Sequence, residues 1–99
     1  MKKLKDVNKI LDEHKDELKT RFKVKKIGVF GSYVRGEQDS NSDIDILVSF
    51  EGDGIGYFVY CDLEDYLKKI LKIRKVDLVT RGALKPLIGR QILSEVRYV

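Results

Sequence analysis

The chain has 99 residues, 20 Lys and Arg against 16 Asp and Glu, and a net charge of +4. That length fits one domain, read over residues 1–99, and 42% hydrophobic residues in periodic segments argue for a folded globule rather than disorder. One cysteine, Cys61, and one histidine, His14, exclude an internal disulfide, a thiolate zinc cluster and a His-rich metal site, and argue against a Ser-His-Asp triad. Chemistry must then fall to carboxylates, hydroxyls, Lys, Arg or a bound metal. No apolar run approaches the roughly 20 residues a membrane span needs, and MKKLKDVNKI lacks the apolar core of a signal peptide. The expected location is the cytoplasm. The charges are spread along the chain and read as solvated helix faces, so direct nucleic-acid binding is not expected.

In chain order, Leu4, Val7, Leu11 and Leu18 are spaced as one face of a helix over residues 3–20, with His14 in the same row as a partly covered helix residue. VKKIGVF, residues 24–30, reads as a strand ending at Gly31-Ser32. A helical turn from Ser32 through Arg35 follows, stopped by Gly36. EQDSNS is a polar loop, and DIDILVSF, residues 43–50, is a second strand. EGDGIG is a glycine-rich connection. A second amphipathic helix is predicted over Tyr57–Lys72, with the Tyr57-Phe58-Tyr60 cluster read as core packing at its start or, alternatively, as a partner surface. KVDLVT, residues 75–80, is a third strand. Leu84, Leu87, Ile88, Ile92 and Val96 mark a last helix, with Pro86 in its first turn. The fold class is α+β: a small sheet of three or four strands packed with helices.

Asp43 and Asp45 stand two apart on a strand, so both face one side, about 6.6 Å apart. Ile44 and Ile46 point to the other side, into the core. Two carboxylates so placed can converge on cations ~3.5–4 Å apart, as in two-metal phosphoryl-transfer sites. The same pattern also fits an edge strand whose solvated aspartates blunt aggregation. Gly31-Ser32, straight after a strand, offers a close backbone approach and a helical turn to an anion, or is simply a strand-to-helix turn capped by Ser32. Asp77 lies in an apolar strand and becomes a third carboxylate if that strand lies beside Asp43 and Asp45; taken alone, it fits a solvated strand aspartate equally.

Gly31-Ser32, ten intervening residues, Asp43-x-Asp45 and then a lone strand aspartate after a helix together resemble the polymerase-beta-type nucleotidyltransferase superfamily. GSYVRGEQDSNSDIDILV, with KVDLVT, ALKPLI and EVRYV, is similar to its minimal members, the MntA-type antitoxins, over essentially the whole chain. The resemblance implies the polymerase-beta-like nucleotidyltransferase fold with a small mixed sheet. It implies two Mg²⁺ ions, or Mn²⁺, on Asp43 and Asp45. Asp77 is implied to bind the catalytic metal and to help activate the attacking hydroxyl as general base. Gly31 and Ser32 are implied to cradle the nucleotide triphosphate, and Arg35 to meet phosphate or hold the loop through Asp43. The implied reaction is transfer of AMP from ATP to a tyrosine of a HEPN-domain (HepT-type) toxin. Val34 departs from the family pattern, which usually has alanine there. Two other readings stay open: an antitoxin acting by contact alone, and nucleotidyl transfer to a small molecule or RNA end.

Overall fold

The computed structural model describes residues 3–37, 43–52, 56–83 and 86–99. The elements are α1 (Leu4–Glu13), α2 (Lys15–Phe22), β1 (Val24–Phe30), α3 (Ser32–Arg35), β2 (Ile44–Phe50), α4 (Tyr57–Leu71), β3 (Val76–Thr80), a 3-10 turn (Arg81–Ala83), α5 (Pro86–Glu95) and β4 (Arg97–Tyr98). The strands form one sheet in the order β3-β2-β1-β4. β1 runs antiparallel to β2 and to β4, whereas β2 and β3 are parallel, joined through α4. This mixed sheet is the α+β architecture expected. No helix among the described residues is long and apolar enough to cross a membrane.

Strand alternation divides the sheet into two faces. Ile27 and Val29 of β1, Ile44, Ile46 and Val48 of β2, and Val76 and Leu78 of β3 lie in one buried cluster with Val7, Leu11, Leu18, Phe22, Leu63, Leu67 and Leu71 of α1, α2 and α4. On the opposite face Phe30 and Leu47 pack with Ile92 and Val96. α5 packs on that second face through Ile92, and Asp45 and Asp77 lie on the same face by strand alternation. Ile46 is fully buried. Ile46→Ala is expected to cost about 2–5 kcal/mol of stability, read as a lower urea midpoint, because the sheet cannot close over the lost volume.

The long first helix predicted over residues 3–20 is two helices. The apolar spacing runs unbroken from Val7 through Leu11 and Leu18 to Phe22, so nothing in the hydrophobic pattern marks the break. His14 makes it: its backbone leaves the helical range (φ −103, ψ 9), and its Nδ1 lies 2.8 Å from the Ile10 carbonyl oxygen. A polar ring in the core row competes for the helix's own acceptor, and the helix breaks there. α2 then continues to Phe22 and stops at Lys23, which takes the left-handed conformation.

The aromatic cluster at the start of α4 divides: Tyr60 packs against the main core as expected, whereas Phe58 does not. Phe58 is 82% exposed and so is not core packing. Tyr60 is half-buried, and its hydroxyl donates to the Leu78 carbonyl at 2.5 Å, satisfying a backbone acceptor of the edge strand β3. The side chain of Tyr57, residues 38–42 of the polar loop, residues 53–55 of EGDGIG, Leu84, and the side chains of Leu87 and Ile88 lie outside what is described.

Candidate active site

β1 ends, and β2 and β3 begin, at the same end of the sheet. The register sets Phe30 opposite Asp45, and Asp45 opposite Asp77. Asp45 and Asp77 thus sit side by side on adjacent strands, on the sheet face opposite the main core. Asp43 immediately precedes β2 and is half-buried, as is Asp45; Asp77 is exposed.

Asp45 carries the electrostatic load. Its carboxyl is pushed up to about 6, first by burial, then by the charge of Asp77 and a hydrogen bond shared with it, and then by the charge of Asp43; Arg35 pulls the other way. A carboxylate forced toward neutrality by burial and by two like charges is what a cation-binding position looks like before the cation arrives. Among the described residues no group of three or more His, Cys, Asp and Glu side chains is gathered into a ready metal cage. The structure pairs Asp45 with Asp77 and brings Asp43 close enough to act on Asp45 through its charge. The donors are all carboxylate oxygens, the hard type that suits Mg²⁺ or Mn²⁺ rather than soft metals. The residues fit such an ion.

Gly31 joins the strand to α3. Its backbone (φ 78, ψ −146) is in a region open essentially to glycine alone. A Cβ there would fall 2.1 Å from Asp45 Oδ2 and 2.9 Å from its Cγ. The space a side chain would need is filled by the carboxylate of Asp45. The glycine expected to admit a ligand to the backbone admits this carboxylate first.

α3 is a single turn, closed by bonds from the Val34 and Arg35 amides to the Gly31 carbonyl at 3.0 and 3.1 Å. Four residues cannot hold a helix by themselves, and the turn is fastened from both sides. Tyr33 is buried in the main core and Val34 packs partly against it, so the bulk added at Val34 lies behind the turn. From the other side Glu95, the last residue of α5, accepts from the Gly31 amide at 3.1 Å and from Arg35 Nη1 at 3.2 and 3.1 Å through its two oxygens. Arg35 Nε also donates to Glu37 at 3.0 Å. The carboxylate that holds this loop through Arg35 is Glu95, where Asp43 was the expected partner. Glu95 was not singled out from sequence. It lies 64 residues from Gly31 in an ordinary amphipathic helix, and its one trace is the C-terminal EVRYV stretch.

Residues 11–99 match the nucleotidyltransferase-domain family. The chain is 49% identical over 96 residues to the protein adenylyltransferase MntA of Thermococcus cleftensis, covering 97% of this chain and 95% of that one. Its fold matches a solved minimal nucleotidyltransferase with a TM-score of 0.80 at 31% identity, covering 97% and 95% of the two chains. A further match is to a solved complex of a tri-AMPylated Shewanella oneidensis HEPN toxin with an MNT antitoxin. There the TM-score is 0.62 at 26% identity, covering 94% of this chain and 67% of that one.

Proposed function

The chain belongs to the nucleotidyltransferase-domain family, as a minimal enzyme of MntA type, and we propose that it transfers AMP from ATP to a tyrosine hydroxyl of a HEPN-type toxin and so acts as its antitoxin. The observation that carries the reading is the Asp45–Asp77 pair, set side by side by the β2–β3 register, with Asp45 packed against Gly31. The acceptor follows from likeness: a related fold is known in complex with a HEPN toxin that bears three AMP groups.

Asp43, Asp45 and Asp77 are the residues assigned to hold two Mg²⁺ ions. Such ions would supply positive charge to the triphosphate and to the departing pyrophosphate. Asp77, the most exposed of the three, is assigned to take the proton of the attacking hydroxyl. Its oxygen then bonds to the α-phosphorus as the bond to the bridging oxygen of pyrophosphate breaks. Gly31 and Ser32, at the start of the α3 turn, are assigned to the triphosphate, and Arg35 to the positive flank of that turn. Positioning and charge supply the catalysis, with no covalent protein intermediate. An enzyme with one histidine and one cysteine needs nothing more.

The test is incubation of the chain with ATP, Mg²⁺ and a HEPN-domain toxin partner, followed by intact-mass and peptide mass spectrometry of the partner. AMP groups on a partner tyrosine, lost when the metal is chelated, are the expected result. A toxin neutralised with no added mass would overturn the transfer reading in favour of neutralisation by contact.

A further inference from the structure

We propose that Glu95 is a positioning residue for nucleotide binding: its carboxylate fixes the Gly31 peptide and the Arg35 guanidinium together, and thereby sets the α3 turn against Asp45. The inference rests on the reading of that turn as the nucleotide-binding element. It adds a residue from the far end of the chain that the motif does not contain.

Three features single Glu95 out. One carboxylate serves two donors of different kind, the Gly31 amide at 3.1 Å and Arg35 Nη1 at 3.2 and 3.1 Å. Its side chain is only 18% exposed, against 43% for Arg35. Charge-assisted bonds partly shielded from water are stronger than surface ion pairs. The backbone that carries it is also held on both flanks. Ile92 and Val96 are buried against Phe30 and Leu47, and the two residues after Val96 pair with Val29 and Gly28 of β1.

The Phe30–Gly31 peptide is the hinge of the site. Its amide points at Glu95, while the α-carbon of Gly31 abuts the carboxylate of Asp45. Rotation of that peptide would move the turn and press on, or release, Asp45. A four-residue helix has too little cooperativity to resist the rotation. Tyr33 anchors it from the core side, and Glu95 supplies the restraint from the α5 side. A ligand held by this turn would therefore feel the loss of Glu95 chiefly as weaker binding.

The experiment compares Glu95→Ala, Glu95→Gln and Leu11→Ala with the unaltered chain, using ATP with Mg²⁺ and the toxin acceptor well below each melting temperature. Glu95→Ala is expected to raise KM for ATP about 10- to 100-fold, with kcat changed less. Glu95→Gln keeps an oxygen for the Gly31 amide but loses the charge facing Arg35, so its KM should fall in between. Leu11→Ala loosens the main core at α1, which packs on α2, α4 and β1, so it should lower the melting temperature and leave KM within twofold. In the nucleotide-free, metal-free chain, the Gly31 amide proton should shift upfield and exchange faster in Glu95→Ala. If Glu95→Ala does not fold, Glu95→Gln and the Gly31 amide carry the test. Unmoved KM in the Glu95 variants, or an equal rise in Leu11→Ala, would overturn the role given to Glu95 alone. An unaltered chain that transfers no AMP would overturn the site reading beneath it.

Discussion

Asp45→Asn is expected to abolish nucleotidyl transfer, by at least about a hundred- to a thousand-fold, and at the same time to make the metal-free chain more stable at pH 7. Both effects come from one charge. Asp45 is half-buried between the negative charges of Asp77 and Asp43, and its carboxyl sits at about 6, above the ordinary 3.8. Between those two values the folded chain holds a proton that the unfolded chain has released, so stability falls as pH rises through the window. Asparagine keeps the shape and removes the charge. Its stabilising effect should be near zero below about pH 4 and complete above about pH 6. Allowing for solvent screening at a partly exposed group, it should amount to on the order of 1 kcal/mol, about 4–8 °C in melting temperature for a domain of this size. Calorimetric melts at pH 3.5 and 7.5, with and without Mg²⁺, test the stability half, and the rate of AMP transfer tests the other. Added Mg²⁺ should raise the melting temperature of the unaltered chain and leave that of the variant unmoved. A variant that transfers AMP at the unaltered rate would remove Asp45 from the site.

The second large effect is expected at Gly31. Gly31→Ala places a methyl group 2.1 Å from Asp45 Oδ2 in a backbone region that only glycine enters easily. The carboxylate must leave, and a displacement of about 1 Å at a reacting centre is enough for a loss of ~100-fold. Gly36→Ala is the matched control. Gly36 also has positive φ, at +72, but a Cβ there meets nothing within 4 Å. Both alanines should lower stability, by about 1–3 kcal/mol at Gly31 and about 1 kcal/mol at Gly36. Only Gly31→Ala should lose transfer. Equal loss of activity in the two variants would mean that backbone strain in the loop, and not contact with Asp45, is what matters.

Much of this arrangement was legible in the sequence because it is local. The two-residue period of IDILVSF gives the face of Asp45 and the burial of Ile44 and Ile46 directly. The Gly31 and Gly36 stops bracket the α3 turn, found at Ser32–Arg35 as expected. Features set by long-range contact were not legible. The adjacency of β2 and β3, and so of Asp45 and Asp77, depends on how α4 crosses the sheet; the sequence offered it only as a condition. Glu95 could not be found by spacing, since its partners lie 60 and 64 residues away. The break at His14 was hidden because apolar residues keep helical spacing straight through it. Phe58 differs for the opposite reason: a large aromatic at the start of a helix is usually buried, and here it stands 82% exposed beside Val59 and Tyr60, which do pack against the core.

β1 is paired on one side with β2 and on the other with β4, which is formed by residues 97–98. The turn at the end of β1 is therefore braced by chain synthesised some 60 residues later. During translation, the three aspartates and the glycine turn are all made before α5 and β4 can dock. Contacts between residues so distant in sequence are slow to form compared with local ones, so the constellation is complete in composition before it is complete in geometry. A growing chain that ended short of residue 95 would carry every residue of the motif without its brace. Competence to bind nucleotide should accordingly appear late, with the docking of the last helix and strand.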